Sequence, residues 1–377
     1  MSRRRSPAPS RATTITDVAR EARVSVASVS RVVNGHDNVT PDTRARILEV
    51  IARLRYVPHT AARSLITRRT HSIGVLLPDL YGQFFSELIR GIDLAAREHG
   101  FHLLLSSSHG DATEMAEAIR AMRGRVEGLL VLAPQLDAGG LADLDPHVPI
   151  VVMNSRPTKR SSSLAIDSYG GARAMVRHLI AGGHRAILHV TGPADNFDAH
   201  ERERGYRDEL AAALPDAKPE VVRGDFGETS GYAAGRALGV GLRRKAWPRP
   251  AVFAANDAMA IGCLAAFGEL GLAVPGDVAV AGFDDIPLAA YVRPSLTTMH
   301  VPIVELGRGA VTQLARHIAT SGRAGDRPVA TRLEPKLVVR ESCGSARPRA
   351  QSTRTTDGGH DDPPPPRRPR GKAAPRS

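Results

Sequence analysis

Residues 14–65 read TITDVAREARVSVASVSRVVNGHDNVTPDTRARILEVIARLRYVPHTAARSL, and this stretch decides the fold of the N-terminal part. Thr14 stands as an N-cap, with Asp17 three residues on as a short capping box. Val18, Ala19 and Ala22 line one face of a first helix. A tight corner follows at Arg23 and Val24, and Ser25 caps a second helix whose buried side is Val29, Val32 and Val33. Asn34-Gly35 closes it. Thr40 caps a third helix, Pro41 fits its first position, and Ile47, Ile51 and Leu54 recur at i, i+4 and i+7. The outer face of the second helix carries Val26, Ala27, Ser28, Ser30 and Arg31. A slim, partly polar face suits the major groove, where base edges are read by hydrogen bonds and methyl contacts. A small three-helix bundle with no DNA partner shows the same pattern.

Charge separates these readings. The 377 residues carry a net +12. Residues 1–70 hold 14 Arg against 5 acids, and residues 344–377 hold 7 Arg and 1 Lys against 3 Asp. The long middle is therefore slightly acidic, and the basic character sits at the two ends. Basic charge on helical patterns points to a polyanion partner. Residues 1–13, rich in Arg, Ser, Pro and Ala, read as a disordered arm, and 341–377 as a disordered basic Pro/Arg-rich tail. Cys263 and Cys343 stand too far apart for a zinc module or a disulfide scaffold, so a reducing, cytoplasmic setting is expected and no metal or cofactor. The start has no apolar signal segment, and no run of 18 apolar residues occurs, so no membrane span is expected.

The ordered motifs resemble the headpiece of LacI/GalR-type transcriptional regulators, whose pattern runs T-I-x-D-V-A, A-G-V-S, T-V-S-R-V-L-N, T-R, L-x-Y-x-P-N and A-x-x-L. Here these stand as Thr14–Ala19, Ala22–Ser25, Ser28–Asn34, Thr43-Arg44, Leu54–His59 and Ala62–Leu65. The resemblance implies a helix-turn-helix unit over 14–57 and a hinge helix and linker over 58–70. It places Val26, Ala27 and Arg31 on the base-reading face, Ser25, Ser30, Asn34 and Thr43 near phosphates, and Thr14 among the DNA-binding residues. His59 and Ala62 would lie on the hinge, and Leu65 would wedge between base steps in the minor groove. Two residues depart from the pattern. Arg23 replaces the turn glycine, at a cost of about 1 kcal/mol if the backbone there is left-handed, and His59 replaces an asparagine.

From Ile73 onward the pattern changes. Ile73–Leu77, Phe101–Leu105, Val126–Leu132 and Ile150–Met153 read as short strands, as do Ala186–Val190, Val221-Val222, Ala251–Ala254 and Val278–Ala281. Helical patterns alternate with them: one running to about His99, then Glu114–Arg123, Tyr169–Ala181, Arg202–Ala213, Thr229–Gly239, Ala258–Leu270 and Val304–Thr320. Strands alternating with helices of this length argue parallel, doubly wound sheets with right-handed crossovers. Residues 71–340 also resemble the family's two-lobed, periplasmic-binding-protein-like sensor, through Gly182–Arg185, Gly192-Pro193, Arg202–Tyr206, Asn256–Ala260, Gly282–Ile286 and Pro294–Thr298.

Carried over residue by residue, the cleft would hold its effector with Tyr81, Phe84, Phe85, Asn154, Arg156, Arg202, Phe226, Asn256 and Asp284. Tyr81, Phe84 and Phe85 serve equally as core packing or as a stacking wall. Asp257 and Asp285 read as cap or hinge residues. A forked arginine with acceptors and aromatics favours a polyhydroxylated ligand such as a sugar; a purine or nucleoside uses overlapping positions. The expected partners are palindromic operator DNA, a small-molecule effector and a second copy of the chain, which two-fold operator symmetry requires. A solute-binding protein for transport would lack the headpiece. His189, Asp195 and His200 match no metal spacing, and no G-x-S-x-G elbow is present, so no enzymatic activity is expected.

Overall fold

The computed structural model describes residues 13–56, 69–134, 148–155, 161–244, 247, 249–320 and 328–344. Residues 1–12 of the expected arm, 57–68 of the hinge expected over 58–70 and its approach, and 345–377 of the tail expected over 341–377 lie outside the described residues. The start of that tail departs from expectation, since Ser342 and Cys343 are buried.

The headpiece has helices α1 (Ile15–Glu21), α2 (Val26–Val33) and α3 (Pro41–Arg53). Val18, Ala19, Ala22, Val29, Val32, Ile47, Val50 and Tyr56 form its core. At Thr14 the box closes as expected: Thr14 Oγ1 accepts from Asp17 N, and Asp17 Oδ2 accepts from Thr14 N at 2.9 Å. Arg23 takes the left-handed conformation (φ 54°), and Gly35 follows α2 at φ 75°. Thr40 differs from expectation. It occupies the N-cap of α3, but its hydroxyl donates to Thr43 Oγ1 (2.9 Å) and caps no backbone N–H.

The sensor has two lobes. The first contains β1 (Ser72–Leu77), α4 (Gln83–Glu98), β2 (His102–Ser107), α5 (Ala112–Met122), β3 (Gly128–Leu132), β4 (Ile150–Met153) and β5 (Ser162–Ile166). The second contains α6 (Ser168–Ala181), β6 (Ala186–Thr191), α7 (Phe197–Ala213), β7 (Glu220–Arg223), α8 (Glu228–Arg244), β8 (Pro250–Ala254), α9 (Asp257–Glu269) and β9 (Ala279–Ala281). The chain then passes through β10 (Thr298–His300), returns to the first lobe as α10 (Ile303–Thr320) and β11 (Ala330–Leu333), and crosses back at β12 (Lys336–Val338). Both large sheets are wholly parallel, in the orders β11-β5-β4-β3-β1-β2 and β7-β6-β8-β9. The crossing strands β10 and β12 pair antiparallel.

Helices cover both faces of each sheet. In the first lobe α4 and α10 pack on one side around Leu88, Ile92, Leu306 and Leu314, and α5 covers the other with Met115, Ile119 and Met122. In the second lobe α6 and α7 bury Met175, Val176 and Tyr206, while α8 and α9 bury Ala234, Met259, Cys263 and Phe267. Strands β5, β10, β11 and β12 were not anticipated: each is short or carries polar residues that blur the apolar run. Packing continues to the end of the described chain. Ser342 and Cys343 are buried, and Ser342 Oγ donates to Val280 O on β9 (2.6 Å). The carboxyl ends of β1, β3 and β4 face those of the second sheet, which sets the cleft at the strand ends, where open α/β sheets bind ligands.

Candidate functional site

The headpiece presents α2 outward. Val26 is 43% exposed, and Ala27, Arg31 and Ser25 are exposed with it. Ser25 Oγ accepts from Ser28 N (3.1 Å), which fixes where α2 begins. Val29 and Val32 are pinned in the core, so Ala27 and Arg31 project from the opposite side, with Val26 exposed at its flank. Ser30 and Asn34 lie half-buried at the far end, joined by a bond from Asn34 Nδ2 to Ser30 Oγ (3.2 Å). Thr14 is committed to the cap: its hydroxyl also donates to Asp17 Oδ2 (2.7 Å), leaving it no hydrogen for a phosphate. Those bonds, the Thr14 side chain foremost, hold the Asp17 carboxyl down at about 2. His59, Ala62 and Leu65 lie outside the described residues.

The lobes enclose a cavity of about 610 Å3. Tyr81, Phe84, Phe85, Asn154, Arg202, Phe226, Asn256 and Asp284 all line it, so eight of the nine expected cleft residues meet there; the ninth, Arg156, lies outside the described residues. Tyr81 is 77% exposed at the mouth. Phe84 and Phe85 meet edge to face with centroids 5.5 Å apart, and both rest on the first-lobe core while also lining the cavity. Phe226, at φ 73°, lays its ring over Gly192, where a Cβ would stand 2.4 Å from the ring.

At the floor Arg202 is 3% exposed. Its Nε donates to Ser168 Oγ (3.4 Å), its Nη1 to Ala255 O, and its Nη2 stands 3.2 Å from Asp284 Oδ1. The guanidinium lies 3.9 Å from the Phe283 ring centroid. Each nitrogen thus already faces a protein acceptor, and of five N–H groups only those left over can reach a ligand. Asn256 is similarly engaged: Oδ1 caps α9 through Met259 N (3.0 Å), and Nδ2 donates to Phe226 O (2.9 Å). Asn154 Oδ1 accepts from Ile166 N (3.2 Å). Asp284 is 4% exposed with φ 111°, and burial pushes its carboxyl up to about 6 against the opposing pull of Arg202.

Other cleft residues went unnoticed in the sequence. Asp198 lies one helical turn before Arg202 on α7 and accepts from Ser168 Oγ (2.8 Å); burial raises it above the ordinary carboxylate range. The i, i+4 spacing to Arg202 was the available signal. His109 also lines the cavity and pairs with Glu114 (2.6 Å), whose carboxylate raises its imidazole. Asp257 and Asp285 do not cap α9, whose N-cap is Asn256; each ties distant segments together. Asp257 accepts from Thr298 Oγ1 and Ile286 N, and Asp285 joins His300 (3.0 Å) to Arg340 (2.7 Å). His189 is buried and stacked between Tyr206 and Phe253, and desolvation lowers it to about 4. Among the described residues no group of three His, Cys, Asp or Glu is placed to hold a metal, and no helix is long and apolar enough to cross a membrane.

Comparison with known proteins agrees with this layout. Residues 14–59 match the model of bacterial regulatory proteins of the lacI family, and residues 176–343 match the periplasmic binding protein-like domain. The chain is 38% identical over 312 residues to the ribose operon repressor of Escherichia coli, covering 81% of this chain and 93% of that protein. It is 36% identical over 336 residues to the HTH-type transcriptional repressor PurR of Edwardsiella ictaluri, covering 87% and 96%. Among solved structures, the lac repressor dimer bound to operator and the anti-inducer ONPF superposes with a TM-score of 0.78 at 28% identity, covering 88% of this chain and 99% of that one. The chain belongs to the lacI family of bacterial regulatory proteins.

Proposed function

We propose that the protein is a homodimeric transcriptional repressor whose grip on a near-palindromic operator is set by a small polyhydroxylated effector held in the interlobe cleft. The observation that carries the DNA half is the exposed Val26, Ala27 and Arg31 face of α2 on a basic headpiece. The cavity beside Arg202 and Asp284, joined to that headpiece in one chain, supports the effector half. Two copies would place two α2 helices on successive major-groove faces. The hinge over 58–70, with Leu65, would couple the lobes to the DNA. Similarity to the ribose operon repressor favours a sugar, and similarity to PurR supports a purine as the second reading.

The test is selection of operator sequences by the full-length protein, followed by affinity measurement with wild type and Arg31→Ala. Loss of one bidentate base contact predicts a weakening of about 1–3 kcal/mol at the selected site, with non-specific binding far less affected. Selection that enriches no sequence would overturn the reading. A thermal-shift screen of sugars and nucleobases, repeated with Arg202→Ala, separates the two effector classes.

A further inference from the structure

The cleft carries a charge imbalance that the aromatic and hydrogen-bonding residues do not explain. Asp79, Asp195, Asp225 and Glu228 line the cavity with exposed side chains, above the buried floor carboxylates Asp198 and Asp284. Against these six acids the described lining offers two basic side chains, Arg202 and His109. Arg202 is spent on the floor, between Ser168, Ala255 and Asp284, and His109 is paired with Glu114. Adding Arg156, which follows β4 outside the described residues, leaves the balance negative.

Two of the four rim acids are held in place by backbone donors. Asp79 Oδ1 accepts from Leu80 N (2.7 Å) and Tyr81 N (3.0 Å), and Asp225 Oδ1 accepts from Gly227 N (2.8 Å). Independently, Asp284 Oδ1 is buried with no hydrogen-bond donor among the described residues. Arg202 Nη2 lies 3.2 Å away but out of line for a hydrogen bond, so this oxygen has a counter-charge and still lacks a donor. A buried acceptor left open at a cavity floor calls for a ligand O–H or N–H.

We propose that Asp79, Asp195, Asp225 and Glu228 make the cleft a charge filter, which admits polyhydroxylated ligands without negative charge and binds an amine-bearing analogue more tightly than its neutral parent. This rests on the effector reading given above. A phosphorylated or carboxylated ligand meets an excess of like charge along the lining, and low-dielectric walls strengthen that repulsion. An ammonium group gains from the same field and supplies the donor that Asp284 lacks.

The test is calorimetric titration of the full-length protein with matched series: glucose, glucosamine and glucose 6-phosphate; galactose, galactosamine and galactose 6-phosphate; adenosine and adenosine 5′-phosphate. Within the series that binds, the phosphate ester is expected to bind about tenfold or more weaker than the neutral parent at low salt. The amine is expected to bind severalfold tighter, and both differences should shrink between about 0.02 M and 0.3 M salt as screening sets in. In the double variant Asp195→Asn, Glu228→Gln the amine-to-neutral ratio should fall toward one. A phosphate ester that binds as tightly as the neutral parent, or an amine preference untouched by the double variant, overturns the filter. If neither these compounds nor any member of the wider sugar and nucleobase screen binds, the effector class itself is overturned, which is a different result from a reversed charge order.

Discussion

Arg23 holds a left-handed backbone (φ 54°) that an L side chain enters at a cost. Arg23→Gly is therefore expected to raise headpiece stability by about 1 kcal/mol, read in urea denaturation followed by helix signal. Thr14→Ala removes the cap and should cost about 1 kcal/mol by the same assay. At the cleft floor the governing group is Asp284, pushed up to about 6 by burial. Its unfolded value is about 4, so between the two the folded chain keeps a proton that the unfolded chain has released. Its contribution to stability is thus greatest below about 4 and is lost as pH rises through about 6. Subtracting the melting-temperature profile of Asp284→Asn from that of wild type should leave a decline across this window, and a flat difference contradicts the assignment. The Thr14–Asp17 box and the turn at Arg23 were legible in the sequence because their partners lie within a few residues. The commitments of Arg202 to Ala255 and Asp284 were not, because the fold alone brings those acceptors together.

Elements were legible in proportion to their apolar contrast. Strands such as Ile150–Met153 stand out as short apolar runs, and helices such as α4 keep the 3.6 period. Strand β5, SSLAI, and β11, ATRL, carry too few large apolar residues to announce themselves; they become strands because β4 and β5 offer them parallel partners. Helix pairing also hides in single residues. Helices α8 and α9 approach through Gly231 and Gly262: a Cβ on Gly231 would stand 2.3 Å from Met259 O, and one on Gly262 2.2 Å from Glu228 O. Those neighbours are backbone and cannot swing aside. Gly262→Ala should therefore destabilise the second lobe by about 1–3 kcal/mol in thermal or urea denaturation, despite alanine's better helix propensity. A neutral or stabilising result would show that the two helices can spread at little cost.

At the scale of the whole molecule, the chain crosses between lobes after β5, at β10 and at β12, so the lobes can change their mutual angle about three short segments. Two further hydrogen bonds span the cleft edges, from Leu288 N to Gln83 Oε1 (3.1 Å) and from Phe197 N to Pro134 O (3.0 Å). Gln83→Ala removes the first while leaving the cleft floor intact, and should weaken effector binding by about 0.5–1.5 kcal/mol if ligand and latch favour the same lobe arrangement. The two-part layout was legible from the position of the basic, helix-rich stretch ahead of the alternating strands and helices. The relation between the lobes was not, since it depends on crossing segments too short to read. The central claim is that ligand in the cleft and DNA on the headpiece are coupled. It is tested most directly by measuring operator affinity with and without saturating effector, and effector affinity with and without operator. The account predicts that both ratios change by the same factor, about 5–150-fold. An effector that binds in the cleft, is weakened by Arg202→Ala, and leaves operator affinity unchanged would contradict it.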